Sequence, residues 1–211
     1  MSTPSILVGL AAEARIACRL GWAVTTGGGT ASGAEAAARL MVAQGATALV
    51  SFGLAGGLDP TLRAGDIIAP RRVVTLDRSF DASLALAARL GGASEHALFG
   101  GNAIVATARE KRVLHAATGA AAIDLESGAV ARVAAEHGLP FAVLRAICDP
   151  AERDLPPAAL LALDRAGAIG LGRVLASVFA HPFQIGGLIA LASDAARARR
   201  TLMRRIEAIG S

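Results

Sequence analysis

The residues best placed to do chemistry in this chain are carboxylates. Ile123-Asp124-Leu125-Glu126-Ser127-Gly128 sets two acids at a strand-to-helix turn, and Leu144-Arg145-Ala146-Ile147-Cys148-Asp149 closes an apolar run on another. Glu13 follows the first apolar run, Ile6-Leu7-Val8-Gly9. Open α/β sheets bind ligands beyond the carboxyl ends of their strands, so acids gathered there suit a site that handles hydroxyls and protons. Asp149 could serve as a general acid, protonating a purine at N7 as it leaves a sugar, help worth roughly 10²–10⁴ in rate. Glu126 could accept hydrogen bonds from two ribose hydroxyls and favour the positive charge that develops on the sugar. Glu13 could take a proton from an attacking water.

Each acid also has an ordinary reading. Asp149 could cap the segment leading to Pro150 and Pro156. Glu126 and Glu13 could be first-turn acids that complement a helix dipole. The dipole accounts well for one acid and less well for two that flank Leu125. His96, His115, His137 and His181 lack metal-ligand spacing and read as surface or helix-end residues.

Strands must carry these acids. Apolar runs bounded by Gly or Pro predict strands at Ile6–Leu10, Ala46–Gly53, Asp66–Pro70, Ala103–Ala106, Ala121–Asp124 and Phe141–Ile147. Between them lie Ala-rich helical stretches, with Ser32-x-x-Glu35 and Thr107-x-x-Glu110 as capping boxes and a helix over Ser127–His137. Strand and helix alternate through residue 150, which predicts a largely parallel or mixed sheet covered by helices. Beyond Asp149 a helical stretch opens at Pro156-Pro157, breaks at His181-Pro182, and a last helix runs to about Ile206.

Two glycine-rich segments could present free amides to a ligand. Thr25–Gly33, with Gly28 and Gly29, leads into a helix and suits an anion or ribose cradle. Gly53-Leu54-Ala55-Gly56-Gly57 ends a strand, where glycine lets the backbone approach a ligand. Neither segment has the glycine spacing of a dinucleotide fingerprint.

Composition narrows the class. A length of 211 residues suits a single core, and 54% hydrophobic residues with one Trp, no Tyr and six Phe mean a core of Ala, Val, Leu and Ile. The net charge is +4 and Lys111 is the only lysine. So basic a chain raises the question of nucleic acid, but the arginines are spread and aromatic stacking residues are scarce, which speaks against it. Cys18 and Cys148 sit in apolar contexts and read as reduced, buried thiols of a cytoplasmic protein. No run is long enough to span a membrane, and no signal peptide is expected.

The motifs, taken in order, resemble the nucleoside phosphorylase and nucleosidase superfamily. They are Ser51-Phe52-Gly53-Leu54-Ala55-Gly56-Gly57-Leu58, Gly65-Asp66-Ile67-Ile68, Ile123-Asp124-Leu125-Glu126-Ser127 and Arg145-Ala146-Ile147-Cys148-Asp149. The resemblance covers about residues 5–150. It implies a three-layer α/β/α fold around a mixed, partly barrel-like sheet, one domain over 1–211 with a C-terminal helical extension from about 183–211. It also implies a homodimer or higher homo-oligomer and no metal or organic cofactor, with inorganic phosphate as a co-substrate if the enzyme is a phosphorylase. Carried over by position, Asp149 is the purine acid, Glu126 the acceptor of the ribose hydroxyls and Leu125 a sugar contact. Glu13 is the candidate base, although it stands slightly closer to Gly9 than in bacterial nucleosidases. Asn102, Ile104 and Val105 fall where the family lays the base against a wall.

Within the superfamily, Gly9-Leu10-Ala11-Ala12-Glu13-Ala14, the segment Lys111–Gly119 and the tail Pro182-Phe183-Gln184 to Leu188 resemble the hopanoid-associated phosphorylase branch. That resemblance implies an adenine-releasing enzyme acting on adenosylhopane, a lipid-linked nucleoside. An acid at Asp149, where oxopurine enzymes often place Asn, favours adenine. Phosphorylases commonly place Arg and Ser or Thr around the turn that is Gly53-Leu54 here. Ser51 and Leu54 lean towards water instead, and a phosphate would need Arg15, Arg19 or the Gly27–Ser32 loop. The alternatives are a methylthioadenosine, adenosylhomocysteine or futalosine nucleosidase, and a catalytically inactive purine-binding protein. A lipid substrate would give the apolar stretch Phe179–Ile189 and the arginines after Ala195 a role in peripheral membrane contact at the inner face. Their ordinary reading is a buried helix face with a solvated basic end.

Overall fold

The structure, a computed structural model, describes residues 4–162 and 184–210. Three strands make its centre: β1 (Ser5–Val8), β3 (Leu49–Gly57) and β9 (Phe141–Asp149). β1 and β9 flank β3 and run parallel to it, with Leu7 opposite Ser51 and Arg145 opposite Gly53. Strands buried on both faces read as continuous apolar runs, which is why these three were visible in the sequence.

Side-chain alternation splits the core into two layers. Ile6, Val8, Val50, Phe52, Leu144 and Ala146 turn to one face. There they meet α1 (Ala11–Ala17), α3 (Leu84–Ala88) and α7 (Ile185–Gly210) through Ile16, Leu86, Ala198, Leu202 and Ile206. Leu7, Leu49, Val143 and Ile147 turn to the other face, against α2 (Ala31–Ala43) and α5 (Ser127–Glu136). The fold is therefore mixed α/β with helices on both sides of a mixed sheet, as expected.

The sheet forks at the end of β3. One branch runs through β8 (Ala122–Asp124), antiparallel to β3 at Gly56 and Gly57, then β7 (Ser94–Gly100), β5 (Pro70–Val74) and β6 (Ser79–Asp81). The other edge of β3 carries β9, which pairs antiparallel with β4 (Ile67–Ile68). β2 (Ala23–Thr26) closes the far edge beside β1. Gly56 lies between Ile123 and Asp149, so the fork brings the ends of β8 and β9 to the same place. Outside the two layers, α4 (Ala108–Thr118) follows β7 and α6 (Pro157–Ala162) follows β9.

Several local expectations change. Ala103–Ala106 is a partly exposed loop rather than a strand, while β2, β6 and β7 are strands that the periodicity did not mark. The sheet run expected at Asp66–Pro70 is split into β4 and β5. Helix α2 begins at Thr30, whose hydroxyl accepts from the Gly33 amide at 3.1 Å, so Ser32 lies inside the helix and does not cap it. The box at Thr107 and Glu110 forms as expected. Cys18 is exposed, not buried, because it stands on the outer side of a short 3-10 turn. The break at His181-Pro182 and most of the preceding helical stretch lie outside the described residues. Arginines of α7 are partly engaged within the fold: the stem of Arg197 covers Gly65, and Arg205 donates to the Gly91 carbonyl at 2.9 Å. Among the described residues no helix is long and apolar enough to cross a membrane.

Candidate active site

Arg145 is the centre of the site, in the middle of β9 and 1% exposed. A guanidinium cannot stay charged in such a place without partners. Its Nε lies 2.6 Å from Asp124 Oδ2, a charge contact, and its Nη2 donates to Ser51 Oγ at 2.6 Å and to Ser127 Oγ at 3.3 Å. Glu126 Oε2 stands 3.6 Å from the same nitrogen. Burial alone would lower the Arg145 pKa, but the carboxylates of Asp124, Glu126 and Glu13 outweigh it and hold the pKa raised.

Asp124 belongs to the frame. Its Oδ1 accepts the amides of Glu126 at 3.1 Å and Ser127 at 2.9 Å, which starts α5, and its Oδ2 meets the Ser127 hydroxyl and Arg145. These partners leave it little capacity for a ligand.

Glu126 is differently placed. It is buried, and its Oε1 accepts one amide, that of Gly29, at a long 3.2 Å. Burial pushes its carboxyl up to about 7, Arg145 pulls against this, and the neighbouring charges of Asp124 and Glu13 add to the rise. Three carboxylates around one guanidinium carry excess negative charge, and Glu126 is the least well bonded of the three. A Cβ on Gly9 would come within 2.9 Å of Glu126 Oε2, so glycine there lets the backbone floor the carboxylate closely.

Glu13 reaches back from the first turn of α1. Its Oε2 accepts the amides of Gly9 at 3.0 Å and Leu10 at 2.9 Å, and its Oε1 accepts that of Leu54 at 3.0 Å. A carboxylate offers about four acceptor positions, so one remains on Oε1. Gly53 makes this packing feasible: its φ is +147°, and a Cβ would lie 2.5 Å from Glu13 Oε1 and 2.7 Å from Arg145 Nη1.

Asp149 lies four residues beyond Arg145 along β9, roughly 13 Å at the rise of a β-strand and past a register shift at Cys148 that interrupts the side-chain alternation. It is 6% exposed. Its Oδ2 takes the Lys111 ammonium at 2.6 Å, while Oδ1 is buried and has no hydrogen-bond partner among the described residues. Burial raises its pKa, and the hydrogen bond and charge of Lys111 offset only part of the rise. Burial likewise pushes the adjacent Cys148 thiol up to about 12, so it is neutral and unreactive near neutral pH.

The structure thus brings Glu13, Glu126 and Arg145 into one cluster and sets Asp149 at the end of the same strand. Leu125 is half-buried between the two acids of its motif. Asn102 and Ile104 are exposed on the loop after β7, whereas Val105 packs on Leu58, Phe99 and Ile123. Of the predicted glycine-loop residues, Gly28 and Gly29 adopt left-handed φ of 78° and 74°, and the Gly29 and Leu54 amides are given to Glu126 and Glu13. Ala55 and Gly56 stay within β3. An anion would therefore compete with carboxylates for these donors. Among the described residues no cluster of His, Cys, Asp and Glu suits a metal ion.

Sequence reasoning passed over Arg145, Ser51, Ser127 and Lys111 as working parts of the site. The signal for Arg145 was present, since a lone charge inside an apolar strand must find partners.

A family model described as the Phosphorylase superfamily matches residues 13–89 and 96–176. No curated protein matches the chain. Among solved structures, the methylthioadenosine/S-adenosylhomocysteine nucleosidase of Helicobacter pylori, in complex with a substituted pyrrolidinol, superposes with a TM-score of 0.73 at 16% identity, covering 99% of this chain and 97% of that one. The futalosine hydrolase of the same organism gives 0.69 at 17%, with 98% of both chains covered. A structure from Francisella philomiragia described as the former type of nucleosidase gives 0.64 at 21%, covering 85% of this chain and 99% of that one. At these identities the likeness establishes the fold.

Proposed function

The chain belongs to the phosphorylase superfamily, and on that premise we propose that it cleaves the N-glycosidic bond of an adenine nucleoside, with water as the nucleophile. One observation carries this reading: a strand that holds a buried, partly unpaired carboxyl, Asp149, at its end and a glutamate–arginine cluster farther back. Asp149 protonates the purine at N7, which turns a poor leaving anion into neutral adenine. Glu126 accepts the ribose hydroxyls and so favours the cationic sugar of the transition state. Glu13, held by three amides, takes the proton of the attacking water on its remaining acceptor position.

Water is favoured over phosphate because the donors at the turn are occupied. Arg145 is buried among Asp124, Glu126 and two serines, and the Leu54 amide serves Glu13.

We assign the substrate as adenosylhopane. Supporting this is an open, mostly apolar groove of about 880 Å³ that starts at Ile104 and Val105 and continues over Val113, Leu114 and Ala117 of α4. Val113 lies on this groove and is 63% exposed. The second reading is a methylthioadenosine, S-adenosylhomocysteine or futalosine nucleosidase, favoured by the named activities of the structural neighbours. We further assign a homo-oligomer and peripheral contact with anionic membrane through the exposed Ile185, Ile189, Arg200 and Arg204 of α7.

Purified protein is expected to release adenine from adenosylhopane without phosphate, and far more slowly from methylthioadenosine. Strict phosphate dependence would replace water with phosphorolysis, and turnover of methylthioadenosine or futalosine alone would replace the substrate. Flotation with anionic but not neutral liposomes is the result expected of the membrane contact; absence from both would remove it.

A further inference from the structure

Lys111 has no part in the reaction as written above, yet it is the only lysine among 21 basic Lys and Arg residues, and it is 1% exposed. Long ammonium side chains are almost never fully buried unless they are paired. The reason it can be buried lies in its partners. Its Nζ donates to Asp149 Oδ2 at 2.6 Å, to the Pro150 carbonyl at 3.0 Å and to the Arg153 carbonyl at 2.8 Å, one acceptor for each ammonium proton.

Local structure delivers the side chain there. Helix α4 starts at the Thr107 cap, and Lys111 stands in its first turn, where side chains tilt back towards the N-terminus. That end of the helix is tied to the segment after β9: the Ala108 amide donates to Asp154 Oδ1 at 2.7 Å and the Leu155 amide to the Ala106 carbonyl at 2.7 Å. A compact ammonium meets three acceptors in a tripod, which a planar guanidinium cannot do.

We infer that Lys111 is a positioning residue for the acid, fixing Asp149 through Oδ2 and clamping the turn at Pro150–Arg153 so that Oδ1 alone is presented to the leaving base. This inference rests on the proposed reaction, in which Asp149 is the proton donor. The clamp has an electrostatic consequence. The charged or titratable groups around Asp149 are Lys111 from α4, Arg153 from the following turn, Asp194 from α7 and Cys148 on β9 itself. Lys111 and Arg153 oppose the rise that burial causes, Asp194 adds to it, and the Cys148 thiol is neutral. Removing Lys111 therefore moves the Asp149 pKa further up.

The test compares Lys111→Met and Lys111→Arg with wild type and Asp149→Asn, using thermal melts, pH profiles of base release, and side-chain NMR of protein labelled with ¹⁵N-lysine. Misplacing a reacting group by about 1 Å costs on the order of 10²-fold. Lys111→Met is expected to lose kcat on that scale with KM little changed, and to carry the alkaline limb of kcat/KM to higher pH. Lys111→Arg should fail to restore the rate. A folded Lys111→Met enzyme with the wild-type rate and an unmoved alkaline limb would overturn the inference.

If Lys111→Met does not fold, NMR decides. A single lysine gives a single side-chain nitrogen signal, whose chemical shift is expected to respond to the ionisation of Asp149 in wild type and to lose that response in Asp149→Asn. A signal identical in the two proteins would overturn the clamp. Failure of the reaction itself shows separately, as wild-type protein that releases no base while the NMR coupling persists.

Discussion

Asp149→Asn should reduce base release by about 10²–10⁴ while leaving the purine bound, the range expected when a general acid is removed. The amide keeps the shape of the carboxyl and can still offer a hydrogen bond, but it has no proton to transfer. The loss should shrink on a nucleoside analogue whose leaving group is a stable anion, such as a p-nitrophenyl riboside, because that group departs without protonation. An equal loss on both substrates would show that Asp149 binds rather than donates. The substitution also strips Lys111 of its one carboxylate, and removing one partner of a buried ion pair typically costs about 3–5 kcal/mol. Melting curves must accompany the rates, so that a rate lost to unfolding is not read as lost chemistry. The pH dependence has a defined sign. A general acid is competent only when protonated, and burial with partial relief from Lys111 keeps the Asp149 pKa raised. Asp149 should therefore set the alkaline limb of the profile, with activity falling as pH climbs past that raised pKa.

How much of this could be read beforehand depended on the range of each interaction. The carboxylates Glu13, Asp124, Glu126 and Asp149 were legible because each follows a short apolar run, and strand ends are where such sheets bind ligands. Thr107 and Glu110 were legible because a capping box closes within a single turn. By contrast, β2 is an edge strand with no buried residue, so it has no apolar pattern to read. β7 opens on Ser94-Glu95-His96 and hides its strand behind polar residues, whereas Ala103–Ala106 imitates a strand and is a loop that buries only Val105 and Ala106 in part. The pairs that tune the site were out of reach for another reason. Lys111 with Asp149 and Arg145 with Ser51 join residues 38 and 94 positions apart, and only the register of β3 with β9 and the seating of α4 bring them together. A sequence shows which residues must be satisfied when buried, but the fold decides by whom.

Glu126→Gln should lose activity and gain stability, and the two effects have one cause. The wild-type carboxyl is buried beside Asp124 and Glu13 and is pushed from an ordinary 4.5 up to about 7. A group whose folded pKa lies above its unfolded one stabilises the fold while protonated, and that contribution is lost as pH rises from the unfolded value through the folded one. A shift from 4.5 to about 7 corresponds to roughly 3 kcal/mol at pH values above both. Glutamine carries no charge at any pH and can still accept the Gly29 amide, and Arg145 keeps Asp124 at 2.6 Å. The melting temperature of Glu126→Gln should match wild type near pH 4.5, exceed it increasingly towards pH 7, and keep a constant lead beyond. A lead that does not vary with pH would mean that the wild-type carboxyl is not destabilised by ionising in place. Activity runs the other way. The ionised carboxylate accepts the ribose hydroxyls more strongly and alone carries the charge that favours the cationic sugar, so wild-type kcat/KM should fall on the acid side of about 7, and the variant, with a neutral amide oxygen as acceptor, should lose on the order of 10²-fold at all pH. The negative charge that burdens the fold is the charge that an oxocarbenium-like sugar would neutralise, so the site is least comfortable in the state that best meets its transition state.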